Sequence, residues 1–240
     1  MIKSDAPTRP ATDDARDTAH PGWWTALAVI VVAWLGVPLL LPIAAAFPWF
    51  FFQRRHRDQV GRLSPVSRWA LSVLVTGMAM LALAGHRATQ SIPFAAETTS
   101  AVSAWLDGSG AAVPSWIAMA AWTGVFAVAA VASRGMAASI VLANVLLLVA
   151  VHAAIVFARA GNVFEASVVA LPIWSAFQLA AMVVLLDPLT AWGEQRLWRR
   201  TPATTFSNRR LVIGGALLVA AFATRLLAGS FSDLARRLAS

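Results

Sequence analysis

The chain has 240 residues, of which 59% are hydrophobic and only 12% charged, where a soluble domain carries roughly 25% charge. Eighteen arginines and one lysine against eleven acids give a net charge of +8. So apolar a chain cannot clothe itself for water, and its basic excess points to anionic lipid headgroups rather than nucleic acid. With no cysteine and no tyrosine, disulfides, thiolate nucleophiles, cysteine-ligated metals and phenolic acids are excluded.

Residues 1–22 are polar and mixed in charge, with Asp5, Asp13, Asp14 and Asp17 against Lys3, Arg9 and Arg16. They lack the layout of a signal peptide and are read as an uncleaved, disordered tail. Residues 23–229 are read as a transmembrane domain, because crossing the hydrocarbon core takes about 20 apolar residues in a helix. The first run, residues 23–47 extended through Phe52, contains Pro38, Pro42 and Pro48. It is read as one long span, tilted or kinked near Pro38.

Arg54, Arg55, Arg57, Arg62 and Arg68 follow. The second span is residues 69–85, its helix starting earlier at Ser64-Pro65. The third is 114–132 and the fourth 136–158, joined through Ser133-Arg134-Gly135 in a tight hairpin with Arg134 at its tip. The fifth is 166–186, with Pro172 inside and Asp187-Pro188 ending it. The sixth is 211–229, interrupted by Arg225. Trp23, Trp24, Trp69 and Trp116 stand at span starts, as an aromatic belt requires.

The sequence therefore predicts an all-α, polytopic bundle of about six spans with short interfacial helices. One interfacial helix is expected around Val102, Trp105 and Leu106, stopped at Asp107-Gly108. Another is the amphipathic tail 230–240, with Phe231, Leu234 and Leu238 on one side. With six spans, the arginine-rich loops fall on one side, and the positive-inside rule places them in the cytoplasm of an inner (plasma) membrane. Both termini then face out.

None of the eleven acids lies in the middle of a predicted span, which argues against carboxylate relays and di-metal chemistry. His152 is the ionisable group inside a span. With His86, and with His20 before span one, it is a weak candidate for haem, copper or zinc ligation; no cofactor is otherwise expected. The plainer reading of His152 is a neutral ring hydrogen-bonded to a neighbouring helix. Asn144 lies two turns before it. Ser167, Ser175 and Gln178 form a polar stripe on span five, read as helix contact or as the lining of a solute cavity between spans four and five. Arg225 is read as snorkelling to the headgroups.

The loop after span five interleaves Trp192 and Trp198 with Arg196, Arg199 and Arg200. With Arg54, Arg55 and Arg57 it suits docking to anionic lipid or to a partner subunit. Phosphate-binding, G-x-S-x-G, H-E-x-x-H and dinucleotide-binding patterns are absent. These features point to a non-catalytic subunit or assembly factor of a membrane complex. A small permease for a neutral or anionic solute is the alternative, and a histidine-dependent haem or metal protein the third reading.

Overall fold

The computed structural model describes residues 21–37, 40–55, 63–110, 115–160, 163–199, 207–227 and 233, which form helices and their connections with no strand among them. The helices are α1 (Pro21–Leu35), α2 (Leu41–Arg55), α3 (Leu63–Ala84), α4 (His86–Gln90), α5 (Ala95–Leu106), α6 (Trp116–Ala132), α7 (Met136–Arg159), α8 (Val163–Ala170), α9 (Ile173–Arg196) and α10 (Asn208–Thr224). A 3₁₀ turn, Arg225–Leu227, extends α10. Four helical stretches are long and apolar enough to cross a membrane: Pro65–Ala84, Met136–Arg159, Ile173–Arg196 and Asn208–Leu227. Gly22–Leu35, Leu41–Phe52 and Trp116–Ala132 are shorter apolar helices.

The first apolar run is not one kinked span. Its two helices lie side by side and run in opposite directions. Gly22 and Trp23, at the start of α1, share a shallow pocket with Arg68 and Leu71 near the start of α3. Gly36, just past the end of α1, lies against Arg87 beyond the far end of α3. The chain then reverses: Leu41 N–H donates to Ser91 O at that far end (3.2 Å), while Trp49 stacks on Trp69 back near the start of α3 (ring centroids 5.6 Å). The punctuation is local. Gly36 takes a left-handed φ of 62° that ends α1, and Pro42 sits in the first turn of α2, where a missing N–H costs nothing.

Trp69 is consequently not a belt residue. It is fully buried, and its Nε1–H donates to Ala45 O at 2.9 Å. Trp23, Trp24 and Trp116 do stand exposed.

α7 is the central post. Residues all round it are buried, among them Leu142, Asn144, Leu147, Val151 and His152, because α2, α3, α5, α6, α8 and α9 all pack against it. The α6–α7 hairpin forms as the sequence predicts, with Arg134 (φ 57°) and Gly135 (φ 83°) in the turn. A side chain at Gly135 would strike Thr190 as well as strain the backbone. α5 forms too, burying Val102, Trp105 and Leu106. They pack on Ala153, Val156 and Ala166 of α7 and α8 rather than facing outward.

The fifth predicted span differs at both ends. It breaks at Leu171-Pro172 into α8 and α9, and α9 then runs straight through Asp187-Pro188 to Arg196. Tertiary contacts override the proline. Asp187 is held by Arg210 of α10 (Oδ2 to Nη1, 3.2 Å), and Gly193 seats directly on the backbone of Val131. The segment 188–196, read from the sequence as the loop after span five, is therefore helical and part of the bundle. α10 lies antiparallel along α9, with Arg210 at Asp187, Gly214 at Leu185 and Arg225 over Trp174.

These pairings give the bundle two ends. At the arginine end lie the starts of α1, α3 and α10, the α6–α7 turn and the ends of α2 and α9. At the opposite end lie α4, α5, α8 and the starts of α6 and α9. The predicted tail 1–22 falls outside the described residues except for Pro21 and Gly22, and the predicted amphipathic tail 230–240 except for Asp233.

Candidate functional site

The break at Pro172 sets the chemistry of the end away from the arginines. Proline has no N–H to donate, and α8 ends at Ala170, so carbonyls near the break need outside donors. His152 of α7 supplies one. Its Nε2 stands 3.2 Å from Val169 O. A carbonyl only accepts, so that nitrogen carries the proton, and in the neutral ring Nδ1 is left as an acceptor. The ring also stacks on Trp105 of α5 (centroids 5.6 Å, interplanar angle 29°).

Gln178 of α9 does a parallel job. Its Nε2 donates to Met119 O and to Thr123 Oγ1, both at 3.0 Å, tying α9 to α6. Both amide hydrogens are thereby used, and Oε1 remains as acceptor capacity. Ser175, one turn before Gln178 on α9, is 4% exposed.

These three side chains line one cavity of about 630 Å³ between α5, α6, α7 and α9. Its walls are mostly apolar, with Ala101, Ala104, Met119, Trp122, Val145, Leu148, Val149 and Leu179. Phe94, Glu97 and Thr98 from the start of α5 complete it, together with Ser115 and Pro172. A volume of this order and an apolar wall with a few convergent polar groups are what small-molecule sites share.

Of the residues singled out from the sequence, the structure brings His152, Ser175 and Gln178 together. It leaves Asn144 apart, 4% exposed on α7 with Oδ1 unpartnered among the described residues. Ser167 bonds back to Val163 O on α8. Arg225 lies over the Trp174 ring, 5.1 Å from its centroid, and does not line the cavity. Sequence reasoning missed Glu97, Thr98, Phe94 and Trp122. One signal was present: Glu97, Thr98, Ala101 and Ala104 recur at helical spacing along α5, a stripe separate from its buried face.

The acids also need correction. Asp187 and Glu194 are buried at 3% and 4% exposure inside α9, held by Arg210 at 3.2 Å and Arg134 at 3.4 Å. Their positions join helices at the arginine end, far from the cavity. Among the described residues no group of three histidines or acids is placed to hold a metal ion. His86 opens α4, and His20 lies outside the described residues. Of the predicted docking residues, Trp192, Arg196, Trp198 and Arg199 are exposed and Arg54 and Arg55 end α2. Arg57 and Arg200 lie outside the described residues.

Helix length and hydropathy make the chain a multi-pass, all-α membrane protein. No known protein family, curated protein or solved structure matches it.

Proposed function

We propose that the protein binds a small, mostly apolar solute from the extracytoplasmic side of a plasma membrane, as the binding element of a transport step. The observation that carries this is convergence: His152, Ser175 and Gln178, from two helices, meet at one cavity.

The antiparallel α1–α2 pair supports the sidedness. If both are crossings, the chain crosses seven times and begins on the arginine side. Fourteen of its nineteen basic residues then fall on that side and five on the other. The six-span reading divides them less sharply, so the positive-inside rule favours seven crossings, with the cavity facing out and the C-terminus beyond it. Exposed Trp192, Arg196, Trp198 and Arg199 at the arginine end favour a second role, docking to anionic lipid or a companion subunit.

The native chain has no cysteine, which makes the test direct. Ser175→Cys and Thr98→Cys should react with a membrane-impermeant thiol reagent added outside intact cells or spheroplasts. Ala181→Cys, fully buried further along α9, should not. A folded Ser175→Cys protein that is inert, or that reacts only when the arginine side is exposed, would sink the proposal.

A further inference from the structure

We propose that the solute is an organic cation with an apolar body, an assignment that rests on the cavity being a binding site and adds its charge preference. Glu97 is the charged residue lining the cavity. Beside it stand Phe94 and Trp122, packed edge to face with ring centroids 5.7 Å apart, both lining the same space. A carboxylate next to aromatic faces is the arrangement that holds ammonium-type groups, since ring quadrupole and carboxylate attract the same charge.

The remaining polar groups agree. His152 and Gln178 spend their donors on Val169 O, Met119 O and Thr123 Oγ1, so their surplus is acceptor capacity. Two positive features oppose this. The start of α9, at Pro172 and Ser175, presents the equivalent of about half a positive charge, less than the full negative charge of Glu97. Arg225 is turned onto Trp174, which does not line the cavity. An anionic solute would have to sit beside Glu97, whose like charge repels it. The anionic option open in the sequence is thereby disfavoured.

The test uses tetraphenylphosphonium and tetraphenylborate, which have nearly the same shape and opposite charge, with the smaller triphenylphosphine oxide as a neutral probe. Binding to the full chain in nanodiscs of uncharged lipid is measured by equilibrium dialysis, net of empty nanodiscs. Tetraphenylphosphonium should bind at least about tenfold more tightly than the other two. Glu97→Gln should lower its affinity about tenfold and leave the neutral probe unchanged. Because Glu97 is exposed, this variant is expected to fold. Equal affinity for cation and anion, or a Glu97→Gln loss shared by all three probes, overturns the charge assignment while the cavity remains a binding site. No net binding of any probe overturns both, and the thiol-labelling pattern then shows whether the cavity is open at all.

Discussion

Replacing Gly193 with alanine should destabilise the bundle more than the same change at any other helical glycine. A Cβ at Gly193 would stand 2.8 Å from Cα of Val131 and 2.9 Å from its carbonyl carbon, and closer still to its oxygen. Ordinary contact begins at 3.4 Å, so α6 and α9 would have to part locally by at least about 0.6 Å. No rotamer change relieves this, because the obstacle is backbone. Overpacking of this kind costs roughly 1–3 kcal/mol. Gly215 supplies the control: a Cβ there meets nothing within 4 Å, and glycine to alanine in a helix is favourable by roughly 0.5–1 kcal/mol. The propensity gain is common to both sites, so the difference is the overpacking cost, about 1–3 kcal/mol, which corresponds to roughly 2–12 °C in melting temperature for a chain of this size. Gly214, whose Cβ would meet the movable side chain of Leu185, should fall between. The assay is thermal denaturation in mild detergent, followed by tryptophan fluorescence on size exclusion. A Gly193→Ala protein melting with Gly215→Ala would refute the close approach of α6 to α9, and with it the extension of α9 past Pro188.

Gln178→Ala should cost only about 1 kcal/mol, since two interhelical hydrogen bonds in a membrane average roughly 0.6 kcal/mol each. Gln178→Glu should cost far more, because a carboxylate would face the Met119 carbonyl; equal melting of the two variants would contradict the bonding assigned here. His152→Phe keeps the stacking on Trp105 but removes the donor to Val169 O, with an expected loss of roughly 1–3 kcal/mol. His152→Gln, which can still donate, should restore part of that; if phenylalanine is as stable as histidine, the bond contributes nothing. For sidedness, a cysteine at position 19 should be labelled only when the arginine side is exposed and Ser109→Cys only from the opposite side. Labelling of both from one side would remove the antiparallel α1–α2 pair as two crossings.

The readings that came through from the sequence depend on local physics. The Ser133-Arg134-Gly135 turn is specified by its own three residues, and the α5 stop by Gly108. The stripe of Ser175 and Gln178 is visible because helical spacing alone puts them on one side. The α1–α2 reversal was within reach: Gly36 and Pro42 are a helix stop and start in the right order, hidden by the unbroken apolar run around them. The course of α9 was not. Asp187-Pro188 followed by a charged stretch has every local mark of a helix end. What reverses it comes from Arg210, 23 residues on, and from Arg134, 60 residues before Glu194. Neither pairing has a signature in local sequence, and without them both acids read as solvated.

Breaking the helix at Pro172 has a consequence for what lines the cavity. Each carbonyl stripped of its donor at Pro172 must be served by another part of the protein, and His152 is spent on that task. Joining α9 to α6 at the same level spends the amide hydrogens of Gln178 in the same way. At these two points scaffolding consumes side-chain donors, because the groups served, Val169 O and Met119 O, are carbonyls. Acceptors accumulate as the residue of that process, and Glu97 adds a full negative charge to them. The start of α9 is the one opposing feature at the break, so the proposed preference for a positive solute rests on the spent side-chain donors and on Glu97 together.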